Sequence, residues 1–256
     1  MSPADAKAAV EFDQVSLTRD GVRVLTDLSL RLDESRVGLI GHNGSGKSSL
    51  VRLLNGLLPA DSGQIRVHGR DPAKGPEQMS ATVGFIFQNP DHQLIFPTVI
   101  EELTFGLRNQ GLSAKEATRQ SSDLLHAQGH ADWAERPVHS LSEGQKQLVC
   151  IFSVLLLNPD LLILDEPFSA LDLPTRYRLL DLLHELPQQI VMISHELDTL
   201  ERFDRIIWLE QGRVHQDGPP DQVLPAYQAD ARARAATLGL GRGRAESDRR
   251  TEPAGS

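Results

Sequence analysis

Residues 37–48 read VGLIGHNGSGKS, an unbroken apolar run that breaks into three glycines and then presents a lysine and a serine. Such a run is the pattern of a strand buried on both faces, and feeding it through glycines into the helix-like stretch Lys47 to Leu57 demands an α/β architecture. The spacing from Gly41 to Ser48 is G-x-x-x-x-G-K-[ST], in the context this motif requires, after a strand and opening a helix. Gly41, Gly44 and Gly46 leave backbone N–H groups free to converge on phosphate oxygens, and the helix N-terminus adds a favourable partial charge. Lys47 is expected to reach the β- and γ-phosphates and Ser48 to ligate Mg²⁺, with His42, Asn43, Ser45 and Ser49 completing the cradle.

Two further apolar runs behave alike. LLIL (161–164) ends at Asp165, and IVMI (190–193) leads to His195. Open α/β sheets bind ligands at the C-terminal ends of their strands, so these polar residues are the candidates for chemistry. The adjacent carboxylates of LLILDEP leave the strand in different directions. Asp165 can hold Mg²⁺ through water, while Glu166 faces the γ-phosphate as the general base that polarises an attacking water. His195 can hydrogen-bond the γ-phosphate and sense its loss. Gln88, closing the strand Thr82 to Phe87, can bring its amide to Mg²⁺ or to that water. Taken alone, each has an ordinary structural reading, and the phosphate loop in the same chain ranks the chemical one first.

Phe12 to Leu17 and Val22 to Leu32 alternate apolar and polar residues about Asp20-Gly21, the pattern of an antiparallel edge layer. Between Pro90 and Asn158 the periods turn helical. Ser113 with Glu116, and Ser142 with Gln145, read as capping boxes, the second opening the apolar stretch Leu148 to Leu157. LSEGQ (141–145) places Ser142 at a helix N-terminus and Gly144 where backbone can approach closely, a second anion-binding helix start. That site suits a nucleotide held by another subunit; in isolation the pentapeptide is an N-cap on a core helix.

With 26 basic against 35 acidic residues the net charge is −9, which removes any global attraction to nucleic acid or anionic lipid. Apolar clusters such as VLLL (154–157) fall far short of the roughly 20 residues that cross a bilayer. A single cysteine, Cys150, and an opening without an apolar stretch point to the cytoplasm. After Tyr227 six Arg face four acidic residues with no aromatic or β-branched aliphatic side chain, so 228–256 is expected to be disordered beyond a helical turn or two. His126 and His130, with Asp123 nearby, stand four apart on a helix weakened by Gly129 and are read as solvated surface rather than metal ligands.

Together these motifs resemble the ATP-binding subunits of ABC transporters. GHNGSGKS resembles the Walker A motif, Gln88 the Q-loop, LSEGQ the signature and LLILDEP the Walker B with its catalytic glutamate; SALD (169–172) resembles the D-loop and His195 the switch histidine. Order and spacing match over residues 11 to about 225. The resemblance implies one ATPase domain over 1–227: a P-loop NTPase (RecA-like) α/β core at 11–88 and 159–227, an antiparallel β subdomain, and an inserted α-helical subdomain at 89–158. It implies ATP as ligand, with Mg²⁺ held by Ser48, Gln88 and Asp165. It also implies a sandwich of two ATPases, identical or paralogous, in which Ser142, Gly144 and Gln145 touch the partner's ATP and Asp172 communicates across the interface.

A narrower resemblance is carried by two segments. FQNPDHQLIFPTVIEELTFGL (87–107) is similar to the ATPases of energy-coupling-factor importers, and KQLVCIFSVLLLNPD (146–160) to those of biotin systems, with cobalt and nickel relatives next. This implies a transmembrane coupling subunit and a small substrate-binding membrane subunit, with the chain peripheral on the cytoplasmic face of the membrane and no nucleic-acid partner. Leu94, Ile95 and Phe96 read equally as core or, under this resemblance, as the border of the groove that receives a coupling helix. Three departures stand out. Arg19 occupies the neighbourhood where the family carries an adenine-stacking aromatic residue, and a guanidinium can also stack on a base. Glu143 replaces a signature glycine, its charge offset by the helix N-terminus. Leu173 precedes Pro174 where relatives have Pro directly. A soluble ABC-type ATPase of ribosomes or DNA would carry two cassettes or heptads, and a GTPase or kinase has no use for LSEGQ; the chain has one cassette and no N-K-x-D.

Overall fold

The computed structural model describes residues 9–237. β1 (Val10–Arg19) and β2 (Val22–Leu32) form a hairpin whose turn residues Asp20 and Gly21 both take positive φ, the geometry that matches the twist of the flanking strands. β3 (Arg36–Ile40) feeds α1 (Lys47–Leu54). The helix stops short of the expected Leu57 because Gly56 turns the chain at a φ of 75°. β4 (Ser62–Val67) returns to the free edge of β1, completing an antiparallel sheet in the order β2-β1-β4. After the single turn α2 (Pro76–Met79) and β5 (Val83–Ile86), the chain forms the helices α3 (Val99–Asn109), α4 (Ala114–Ala127) and α5 (Glu143–Leu155). It then completes the main sheet with β6 (Leu161–Asp165), α6 (Leu173–Glu185), β7 (Gln189–Ile193), β8 (Arg205–Glu210) and β9 (Arg213–Gly218), and ends in α7 (Pro220–Thr237).

The main sheet runs β5-β6-β7-β3-β8-β9, parallel except for the edge strand β9. Successive side chains of a strand point to opposite faces, and here each face has its own core. Leu161, Ile163, Val191, Ile193, Ile207 and Leu209 pack with α1 and the antiparallel sheet. Their neighbours Leu162, Leu164, Ile190, Met192, Ile206 and Trp208 pack with α3, α5, α6 and α7. Both faces being covered explains why VGLI, LLIL and IVMI read as continuous apolar runs. Burying each such Leu or Ile contributes about 1.5–3 kcal/mol. Buried Arg36 fixes the start of β3: its guanidinium donates to the carbonyls of His184 and Leu186, which the end of α6 leaves without intrahelical donors, and to that of Gln188 in the connection that follows.

The helix starts differ from expectation in one respect. Ser142 and Gln145 form the reciprocal box at α5, but at α4 only Ser113 Oγ accepts from the Glu116 N–H (3.2 Å), because the Glu116 carboxylate turns to Arg119 instead. A further box, Thr98 with Glu101, opens α3. α7 continues ten residues beyond Tyr227, nearly three turns where one or two were expected; residues 238–256 lie outside the described part. α4 ends at Ala127, so His126 and His130 do not share a helix face, and the His130 ring stacks on Trp133 at 3.9 Å. Among the described residues no cluster of three or more His, Cys, Asp or Glu could hold a metal ion, and no helix is long and apolar enough to cross a membrane.

Candidate active site

The phosphate loop leaves β3 at Gly41, where a Cβ would lie 2.2 Å from the Leu209 carbonyl oxygen; only glycine lets the chain pass so close to β8. Asn43 and Gly44 form the exposed tip, Gly46 is the N-cap of α1, and Ser48 and Ser49 lie in its first turn. Lys47 is buried, and its Nζ donates to the carbonyls of Gly41 (2.7 Å) and His42 (3.2 Å). Burial pushes the Lys47 ammonium down from the usual lysine range, and the charges of Glu166 and Asp165 pull it back. Ser45 Oγ is buried with no hydrogen-bond partner among the described residues, an orphaned donor inside the loop.

Leu39, Ile193 and Asp165 stand in register across β3, β7 and β6, so the segments continuing from these strands emerge on one edge of the sheet. Asp165 is buried, and burial, with the neighbouring Glu166 charge, raises its carboxyl above the usual range; Arg52, the Ser48 hydroxyl and Lys47 oppose that rise. The Ser48 hydroxyl bonded to the Asp165 carboxylate gives two adjacent hard oxygen donors, a pair that fits Mg²⁺. Glu166 takes a φ of 52°, uncommon for a residue with a Cβ, and its N–H donates to Ile193 O at 2.9 Å. That turn aims its carboxylate at two neighbours: Oε1 lies 2.9 Å from His195 Nε2, and Oε2 accepts from Gln88 Nε2 at 3.3 Å. Residues from the ends of β5, β6 and β7 therefore converge beside the loop after β3.

The signature segment lies apart. Ser142 Oγ accepts from the Gln145 N–H (3.3 Å) and Gln145 Oε1 from the Ser142 N–H (3.0 Å), so both side chains are used in the cap of α5. A Cβ on Gly144 would lie 2.9 Å from Ala170 O, so the close approach this glycine permits within the chain is to the SALD segment. Glu143 pairs with Lys146 (3.0 Å), which also reaches Asp91 (2.8 Å). Asp172 caps α6 by accepting from the Thr175 N–H (3.0 Å), and the extra Leu173 with Pro174 is absorbed into the first turn of that helix. Arg19 is exposed at the hairpin, paired with Val22. Among the described residues no hydrogen bond or ion pair joins Arg19 or residues 142–145 to the loop 41–49.

Sequence reasoning passed over two connectors. Gln147, buried on α5, donates to Phe87 O (3.2 Å), next to Gln88; its signal was a polar side chain inside an apolar helical run. Arg176 on α6 pairs with Glu196, directly after His195, and with Asp198 (2.8 Å), tying the helix capped by Asp172 to the loop that carries His195.

A phosphate loop after the central strand, with strand-end carboxylates beside it, defines a P-loop NTPase. A family model described as ABC transporter matches residues 25–169. The chain is 48% identical over 227 residues to the biotin transport ATP-binding protein BioM of Rhodobacter capsulatus, covering 89% of this chain and 97% of that one. It is 37% identical over 223 residues to the energy-coupling factor transporter ATP-binding protein EcfA1 of Ligilactobacillus salivarius, covering 84% and 79%. Among solved structures it resembles cbiO1 from Clostridium perfringens, part of the ABC transporter complex cbiONQ, with a TM-score of 0.75 and 28% identity over 92% of this chain and 96% of that one. The chain belongs to the ATP-binding proteins of ABC transporters, and it is an ATPase.

Proposed function

We propose that this ATPase energises an energy-coupling-factor importer, with biotin as the first candidate cargo. The reading is carried by the surface that follows Gln88: Ile95, in the segment that leads from the ATPase centre into α3, and Phe105, on α3 itself, are exposed apolar residues bordering a pocket of about 340 Å³. An apolar groove so placed suits a helix of a transmembrane coupling subunit, which would hold the chain at the cytoplasmic face beside a small substrate-binding membrane protein. The similarity to BioM supports biotin; the likeness to cbiO1 keeps a cobalt or nickel importer as the second reading.

In the reaction, the loop from Gly41 to Ser49 grips the ATP phosphates, Lys47 moving from the loop carbonyls to phosphate oxygens. Ser48, Asp165 and Gln88 would hold Mg²⁺, which when bound would neutralise charge on the phosphates. Glu166 orients and deprotonates the attacking water as general base, held by Gln88 and His195, and His195 reports the γ-phosphate. Arg19 stacks on the adenine. A second ATPase supplies the residues matching Ser142, Gly144 and Gln145 to complete the site, and Asp172 lies between the two. ATP favours the closed pair, hydrolysis the open one, and the membrane partner moves with them. The test is to purify the tagged chain from gently solubilised host membranes and assay uptake in a deletion strain. Recovery of a coupling protein with loss of biotin uptake supports the reading; loss of Co²⁺ or Ni²⁺ uptake transfers it to the metal; recovery of ribosomal or DNA-associated proteins alone overturns it.

A further inference from the structure

One contact outside the motifs ties the C-terminal helix to the phosphate loop. His42 Nε2 lies 3.0 Å from Asp230 Oδ2, and an ionised carboxylate only accepts, so Nε2 carries the donated proton. Tyr227, one turn earlier on α7, sets its ring 5.3 Å from the His42 ring. Arg234, one turn later, donates to the same Asp230 oxygen at 2.6 Å and pairs with Glu210 at the end of β8. The hydrogen bond from His42, and then that from Arg234, hold the Asp230 carboxyl below its usual range.

The backbone of His42 does something different. Its carbonyl accepts from the Ser45 N–H (3.1 Å) and from Lys47 Nζ (3.2 Å), so the loop closes on this peptide. A single residue therefore presents its ring to α7 and its carbonyl to the middle of the loop. The ring is anchored on a firm base, because Val223, Leu224 and Tyr227 bury α7 against the main sheet without help from Asp230.

We propose that Asp230 is a positioning residue for nucleotide binding: by holding the His42 ring it fixes the His42 peptide, so that the loop meets a triphosphate already in its closed shape. A loop with glycines at 41, 44 and 46 has unusual backbone freedom to lose, and an anchor that orders it before binding lowers the cost of association. The inference rests on the reading of residues 41–49 as the nucleotide cradle. It makes part of α7, a helix outside every motif, a determinant of ATP affinity.

The test measures binding of a fluorescent ATP analogue and steady-state hydrolysis on the full-length chain, for D230A, D230E, H42A, the double variant H42A/D230A and K47A. D230A is expected to raise Kd and KM about tenfold with kcat kept within about twofold, and D230E to recover most of the affinity. Since Asp230 acts through His42, adding D230A to H42A should weaken binding no further. Equal weakening by D230A in both backgrounds, or an unchanged Kd in D230A, overturns the proposal. A thermal midpoint within a few degrees of the parent shows that α7 remains docked. Should K47A bind as tightly as the parent, the cradle reading falls and this inference with it, a result distinct from failure of D230A alone.

Discussion

Glu166 Oε1 and His195 Nε2 stand 2.9 Å apart, and the other oxygen of the same carboxylate takes the Gln88 amide, so the ends of three neighbouring strands meet on one carboxylate, the proposed general base. Replacing Glu166 by Gln keeps the shape and removes the basicity. Phosphate release should fall about 10²- to 10³-fold while ATP binding persists, and an ATP-loaded dimer should accumulate on size exclusion. An undiminished rate removes Glu166 from its role.

Lys47 is a buried cation facing two carboxylates. On the proposed reading, Lys47→Ala removes the ammonium offered to the phosphates and leaves Asp165 and Glu166 opposing an anionic ligand. ATP affinity should drop by a factor of ten or more, about 1.4 kcal/mol at least, measured by calorimetric titration.

Gly144→Ala places a methyl group 2.9 Å from Ala170 O, so the SALD segment must shift. Displacements near 1 Å in a catalytic arrangement can cost about 100-fold. Hydrolysis should therefore fall at least tenfold while the melting temperature moves by only a few degrees; a variant that unfolds outright would mean the contact is chiefly one of packing.

Cys150 is fully buried in α5, and burial pushes its thiol well above the usual range. As the chain's only cysteine, it gives an unambiguous signal. At pH 8 a thiol reagent should leave the folded protein unlabelled over hours and label it stoichiometrically in denaturant. Rapid labelling of the folded chain would show that α5 opens.

Glu116 is held down to about 2 by its hydrogen bonds to Arg119, then Gln120. A depressed carboxylate stabilises the fold above its unfolded value near 4.3 and loses that contribution as pH falls through about 2. The pair is exposed, so salt should screen most of the effect. NMR titration should place the Glu116 midpoint below that of other glutamates, and Arg119→Ala should return it to the ordinary range.

What the sequence revealed depended on range. VGLI, LLIL and IVMI were legible as central strands because burial on both faces erases alternation, and the polar residues that end them mark the edge where chemistry gathers. Which of these residues touch was hidden: Glu166 reaches Gln88 and His195 from a backbone in a left-handed turn, a conformation the apolar run before it does not announce. The signature residues read as a ligand surface, yet Ser142 and Gln145 spend their side chains on each other, a local bond that spacing alone could equally describe. Composition misjudged α7 because Asp230 and Arg234 are ordinary charges; their i,i+4 spacing among alanines was the available sign of a helix. His42 and Asp230 are 188 positions apart, and nothing short of the fold joins them.

The six-stranded sheet is a bulkhead. Adjacent residues such as Leu162 and Ile163 belong to different cores, and the two cores have no residue in common. The helices α3 to α5 lie on one side of it, while α1 and the antiparallel layer grip the other. A tilt of the helical slab can therefore leave the opposite compartment unstirred. At the rim where the strands end, Gln88, Glu166 and His195 meet, and there α7 on one side reaches the phosphate loop that opens α1 on the other.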